Sequence, residues 1–268
     1  MHSSRHTKLM GILNCTPDSF SDGGSFLAVD TALQRAEEMV REGADIIDVG
    51  GESTRPGSSF VSAEEEMERI LPVIDGIRRN LEVPVSVDTY KAEVAKEALR
   101  AGAHIINDIH GLRFDHGEMA KTVAEGDALC VLMHFRASSG YTDLKKEVLQ
   151  DLRESIHIAK AAGIKEENII LDPGIGFGKT PEENLELLGE LSLLKQMGYP
   201  CLLGASRKSV IGFALDLPVG ERLEGTLATT ALAVQAGYEY VRVHDVKENA
   251  RFIKMLETVL WTRSGSGA

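Results

Sequence analysis

Chemistry-bearing side chains recur at one kind of place in this chain. Arg41-Glu42-Gly43-Ala44-Asp45-Ile46-Ile47-Asp48, Arg100-Ala101-Gly102-Ala103-His104-Ile105-Ile106-Asn107 and Gln235-Ala236-Gly237-Tyr238-Glu239-Tyr240-Val241-Arg242 each put a polar side chain five residues after a glycine. The glycine reads as a helix C-cap, and the polar residue ends the strand that follows. The same reading of the other apolar runs adds Asn14, Asp88, Met133-His134, Asp172, Ser206-Arg207-Lys208 and Val243-His244. Singly, each reads more readily as a cap or a rim salt bridge. Together they would place three carboxylates, two asparagines, several cations and a histidine in one pocket.

Two long loops follow the first two strand patterns: Asn14-Cys15-Thr16-Pro17-Asp18-Ser19-Phe20-Ser21-Asp22-Gly23-Gly24 and Gly50-Gly51-Glu52-Ser53-Thr54-Arg55-Pro56-Gly57-Ser58-Ser59. Their hydroxyls, backbone N–H groups and Arg55 suit a phosphate-bearing substrate, with glycines that would let them close over it. Gly174-Ile175-Gly176-Phe177-Gly178-Lys179-Thr180 looks like a phosphate loop, but the first glycine of that pattern would fall on Pro173. No C-x-x-C, H-E-x-x-H or G-x-S-x-G occurs, so structural zinc, zinc-peptidase and nucleophile-elbow chemistry have no support. A metal would be a hard ion such as Mg²⁺, held by the Asn14 oxygen and substrate phosphate.

The elements that must position these residues alternate regularly. Strands are expected near 8–14, 45–49, 84–88, 104–107, 128–133, 168–172, 201–204 and 240–244, and helices near 29–42, 62–80, 91–101, 116–125, 143–162, 181–197, 222–236 and 246–261. Eight βα units in about 250 residues describe a (β/α)8 TIM barrel of the α/β class, in which loops after the strands carry function. An open doubly wound sheet has the same alternation but seldom needs so many units, and no G-x-G-x-x-G follows the first strand. One catalytic domain is expected over 1–263, with a flexible Gly/Ser tail over 264–268.

Composition limits the partners. With 29 Lys and Arg against 41 Asp and Glu, the net charge is −12, which argues against nucleic acid and anionic membrane as partners without forbidding a small basic pocket. Three widely spaced cysteines, Cys15, Cys130 and Cys201, read as buried thiols of a reducing compartment, and the expectation is a cytoplasmic protein.

Taken in order, Gly11 to Gly24, Gly50 to Gly57, Val87-Asp88-Thr89, Ile106-Asn107-Asp108, Leu132-Met133-His134, Asp172 to Phe177, Ser206 to Ser209 and Arg242 to Asp245 resemble the motifs of dihydropteroate synthases, the folate-pathway enzymes that sulfonamides inhibit. The resemblance covers nearly the whole chain. Cys15, where valine is expected, and Phe135-Arg136 depart from the pattern without touching a residue given a role. It implies condensation of 6-hydroxymethyl-7,8-dihydropterin diphosphate with 4-aminobenzoate, giving 7,8-dihydropteroate and pyrophosphate, with Mg²⁺ and a homodimer built through helices on the outside of the barrel.

It also implies roles. Asp88, Lys208, Arg55 and His244 would be catalytic. Thr54, Asp88, Asn107, Met133, Asp172, Lys208, Arg242, Val243 and His244 would bind the pterin diphosphate. Thr54, Pro56, Phe177, Lys208 and Ser209 would hold 4-aminobenzoate, and Asn14 the metal, with Asp18 and Asp22 joining on loop closure. A pterin-dependent methyltransferase would share the barrel and the ring-reading Asp and Asn but has no use for a diphosphate pocket. A non-catalytic pterin-binding paralogue should have lost some of Asn14, Arg55, Asp88, Lys208 or His244, and all are present.

Overall fold

The computed structural model describes residues 6–16, 25–53 and 60–265. The expected site residues Thr54, Arg55 and Pro56, together with Asp18 and Asp22, lie outside the described residues.

Eight parallel strands, β1 (Lys8–Asn14), β2 (Ile46–Gly50), β3 (Val85–Asp88), β4 (Ile105–Asp108), β5 (Leu129–Met133), β6 (Ile169–Asp172), β7 (Leu202–Leu203) and β8 (Tyr240–Val243), form one sheet in the order β6-β5-β4-β3-β2-β1-β8-β7. A parallel bridge between Leu171 and Cys201 links β6 to the start of β7, so the sheet is a nearly closed barrel. Outside it run α1 (Ser25–Glu42), α2 (Ala63–Asn80), α3 (Ala92–Arg100), α4 (Glu118–Glu125), α5 (Leu144–Ala161), α6 (Pro181–Gly189), α7 (Ser192–Lys195), α8 (Ser209–Leu215), α9 (Leu223–Ala236) and α10 (Val246–Gly265). The (β/α)8 TIM barrel expected from the sequence is therefore the fold.

Alternation along the strands sorts the side chains into two layers. Leu9, Ile47, Val49, Val85, Val87, Ile106, Cys130, Leu132, Leu171, Leu203, Val241 and Val243 face outward into the core shared with the helices. Met10, Ile46, Ile105, Val131, Ile170 and Leu202 face inward and plug the lower barrel. One step of two residues further up the same inner face, apolar gives way to polar. Asp48 pairs with Ser86, Asp88 with Asn107, and Asp172 lies beside Met133, while Arg242 rises from beside Met10 of the plug. The apolar plug is the floor, and the polar layer is what a ligand entering the mouth would meet.

The glycines that predicted this placement do what the pattern requires. Gly43, Gly102 and Gly237 have φ of 109°, 102° and 80°, the left-handed turn out of a helix that a side chain resists. Helix starts are equally local: the Ser62 and Asp143 side chains accept from the N–H of Glu65 and Lys146, and Thr180 and Glu183 form a reciprocal capping box.

Four expectations are corrected. The single helix over 181–197 is two, α6 and α7, because the chain breaks helical geometry at Glu190 (φ −126°, ψ 28°) just after Gly189. The segment after Lys208 is helical, since α8 buries Val210 and Ile211. Strand β7 keeps only two residues. Finally, α1 begins at Ser25 and α10 runs on through Ser264 and Gly265, the first residues of the expected tail, with 266–268 outside the described residues.

Candidate active site

At the centre of the mouth, Arg242 from β8 crosses the barrel to two buried carboxylates. Its Nε donates to Asp48 Oδ2 at 2.6 Å and its Nη2 to Asp88 Oδ2 at 2.7 Å. Asn107 Nδ2 reaches the same Asp48 oxygen at 3.5 Å. The three residues that the Gly-plus-five spacing singled out, Asp48, Asn107 and Arg242, are therefore in one hydrogen-bonded group. The second oxygens, Asp48 Oδ1 and Asp88 Oδ1, and the Ser86 hydroxyl are buried without a partner among the described residues. Such groups are costly when left unpaired, and ligand or water donors would satisfy them.

Burial raises Asp88 to about 7, against the pull of the Arg242 guanidinium, with the Asp48 and Glu66 carboxylates pushing the same way as burial. Burial also raises Asp172, offset by Lys208 and by the Gly174 N–H that its Oδ1 accepts at 2.6 Å. Burial lowers Lys208 to about 8, countered by Asp172 and Asp88. The mouth thus holds acids raised and a lysine lowered, the pairing of opposed shifts that marks sites rather than surfaces.

Around this centre, Met133 is a buried wall beside Asp172. Lys208 donates to Ile175 O and stands 4.5 Å from the centroid of the half-buried Phe177 ring. Ser209, exposed, opens α8. His244 is set by Ser206, whose buried hydroxyl lies 3.0 Å from Nδ1 and accepts the His244 backbone N–H at 3.2 Å. Ser206 thus meets both the backbone and the ring of His244 and orients it. Asn14 ends β1 on the inner face, half-buried beside Gly50.

Two expectations change. Val243 belongs to the outer core with Val241, because a residue next to inward-facing Arg242 must face outward; its side chain is not at the mouth. Arg207, expected among the free cations of the mouth, is held by both carboxylate oxygens of Asp245, in a left-handed backbone (φ 57°). Sequence reasoning gave no role to Asp48, which it placed at a strand end, or to Lys179, which it met only inside the rejected phosphate-loop pattern.

The arrangement suits recognition and charge stabilisation more than covalent catalysis. Burial holds Cys15 and Cys201 at about 12 and Cys130 well above its ordinary value, so none is a thiolate at neutral pH. Among the described residues no group of three or more His, Cys, Asp or Glu could hold a metal, and no helix is long and apolar enough to cross a membrane.

Comparison with known proteins agrees with this geometry. The family described as "Pterin binding enzyme" matches residues 10–244. A dihydropteroate synthase of Clostridium beijerinckii is 56% identical over 255 residues, covering 95% of this chain and 94% of the relative. The crystal structure of the Clostridium difficile dihydropteroate synthase in the presence of pteroic acid superposes with a TM-score of 0.93 at 49% identity, covering 97% of this chain and 98% of that one. The Xanthomonas albilineans enzyme, solved with 4-aminobenzoic acid, superposes with a TM-score of 0.91 at 40% identity, covering 96% and 94%. With the buried Asp48–Arg242–Asp88 group at the mouth of such a barrel, the chain belongs to the pterin-binding enzymes and, among them, to the dihydropteroate synthases, transferases of folate biosynthesis.

Proposed function

We propose that the barrel mouth condenses 6-hydroxymethyl-7,8-dihydropterin diphosphate with 4-aminobenzoate, and that the layer Asp48, Asp88, Asn107, Asp172 and Arg242 is where the pterin is read. The observation that carries this is the unpartnered oxygen pair, Asp48 Oδ1 and Asp88 Oδ1, buried under Arg242. Asp172 and Asn107 suit the amino and ring N–H edge of a pterin, which a carboxylate can accept in two-pronged fashion. Arg242 can lay its guanidinium plane on the ring, and Met133 walls it. Lys208 donates toward the ring carbonyl and, with Thr54, Pro56, Phe177 and Ser209, frames the arylamine.

The hard step is expelling pyrophosphate from the carbon attached to the ring. An arylamine is neutral and already nucleophilic, so no strong base is needed. Asp88 stabilises the positive charge that develops on the pterin, and Arg55, Arg242 and His244 the negative charge on the leaving group. Asn14 offers a hard neutral oxygen on the inner face of β1, which fits Mg²⁺ completing its shell with substrate phosphate; the ion would neutralise the leaving group. The three buried thiols suit the reducing cytoplasm.

Purified protein given Mg²⁺, the pterin diphosphate and 4-aminobenzoate is expected to release pyrophosphate and form dihydropteroate. No pyrophosphate above a no-enzyme control contradicts the proposal.

A homodimer is also proposed. Phe213 and Leu215 of α8, Val219 in the turn before α9 and Leu232 of α9 are 53%, 47%, 50% and 41% exposed, large apolar side chains on neighbouring outer elements of the kind found at interfaces. Sedimentation at micromolar concentration is expected to find a dimer, and Leu232→Glu a monomer. A monomeric wild type contradicts this.

A further inference from the structure

Lys179 meets a substrate-assigned residue only at the backbone, through Phe177 O, yet its ammonium is spent inside the site. Its Nζ lies 2.8 Å from Gly174 O, 3.0 Å from Phe177 O and 2.9 Å from His134 Nδ1. Those are three acceptors for three N–H donors. With Lys179 donating to Nδ1, His134 is neutral, burial and the lysine pushing it down to about 3, and its proton on Nε2 is directed at Asp151 Oδ2 3.1 Å away. Arg136 grips the same Asp151 carboxylate from Nε at 2.7 Å and Nη2 at 3.2 Å. A hydrogen-bonded chain, from Lys179 through the buried His134 to Asp151 and the partly exposed Arg136, therefore ties the turn after β6 to the end of β5 and to α5.

The turn has little freedom to settle elsewhere. Gly174 and Gly178 have φ of 67° and 57°, and a Cβ on them would stand 1.9 Å from His134 O and 2.1 Å from Arg136 O. The turn is pressed onto the 134–136 backbone, with Lys179 closing it from within. What it presents is Phe177, whose ring faces Lys208, and Ile175 O, which accepts from Lys208. Asp172 is fixed by its place in β6, although its Oδ1 also accepts from the Gly174 N–H of this turn.

We propose that Lys179 is a positioning residue for the arylamine half of the site: by holding Gly174 O and Phe177 O from inside the turn, it sets the Phe177 ring and the Lys208 ammonium against each other. This rests on 4-aminobenzoate lying beside Phe177 and Lys208. The pterin readers Asp88, Asn107 and Asp172 are fixed by their strands, and only Asp172 also bonds to the turn, so loss of Lys179 acts chiefly on one substrate.

The test compares Lys179→Met, Lys179→Arg and Phe177→Ala in the full chain. It reads KM for 4-aminobenzoate at saturating pterin diphosphate, and Kd for pterin diphosphate with Mg²⁺ by calorimetry. Lys179→Met is expected to raise the 4-aminobenzoate KM at least about tenfold, with the pterin Kd unchanged within about threefold, since small misplacements of a binding group are costly. Lys179→Arg, which keeps charge and donors, is expected to recover most of the loss. Should Lys179→Met fail to fold, Lys179→Gln reads the same split.

Phe177→Ala separates the two ideas. If it raises the 4-aminobenzoate KM and the lysine variants do not, or if they weaken both substrates in parallel, Lys179 is not the positioning residue. If Phe177→Ala leaves that KM unchanged, the placement of the arylamine itself is wrong and the inference is overturned with it.

Discussion

Arg242→Met is expected to lower stability by about 3 to 5 kcal/mol, the usual cost of removing one partner from a buried ion pair. For a chain of this size that is a Tm drop on the order of 10 °C. The side chain is 18% exposed and bridges two carboxylates that are nearly inaccessible, so both are stranded at once. The drop should depend on pH in a definite direction. Asp88, raised by burial to about 7 even with Arg242 beside it, loses that lowering partner and rises further. A raised acid adds stability below its unfolded value and loses it as pH climbs through the folded one. The gap in Tm between wild type and variant should therefore shrink as pH is lowered from about 8 to 5.5. Thermal denaturation across that range checks it, and a gap independent of pH contradicts Arg242 as the counter-charge of Asp88. The variant should also lose measurable binding of the pterin diphosphate, because the cation that faces both ring and phosphates is gone.

Asp88→Asn is expected to lower kcat by about 10² to 10³-fold, the effect of removing one preorganised charge-stabilising group. Pterin binding should weaken only a few-fold, because the amide keeps the shape and can still meet the ring. The contrast follows from timing: positive charge on the pterin appears as pyrophosphate leaves, so a carboxylate against the ring matters most there. In the wild type, kcat/KM should fall as pH drops below about 7, because protonation removes the charge on Asp88. The variant should lack that limb. Equal losses in kcat and binding would make Asp88 a simple contact.

How much of this was legible beforehand follows from which interactions are local. Strand alternation and the glycine at the helix end are short-range, and they placed Asp48, Asn107 and Arg242 at strand ends before any contact was known. Convergence of eight strands on one mouth did the rest for Asp88, Met133, Asp172 and Lys208. Pairings across long separations were not legible. Arg242 and Asp48 are 194 residues apart, and nothing in either neighbourhood announces the other. Arg207 looked like a free cation because Asp245, its partner, lies 38 residues on. Val243 was grouped with Arg242 by adjacency, although neighbouring strand residues face opposite sides. Lys179 was hidden twice over, in a pattern that failed as a phosphate loop and in a role that exists only when the turn lies on His134, 45 residues away. The split of α6 from α7 turned on one glycine near a helix end, where propensity is weakest as a guide.

The buried acid under Arg242 is expected to stabilise the charge that develops as pyrophosphate departs. Single-turnover pyrophosphate release, with enzyme in excess and pterin diphosphate fully bound, isolates this step when wild type is compared with Asp88→Asn. The release rate is expected to be lower by about 10² to 10³-fold in the variant, with occupancy of the bound substrate unchanged. Release at the wild-type rate from an equally occupied Asp88→Asn enzyme would contradict it.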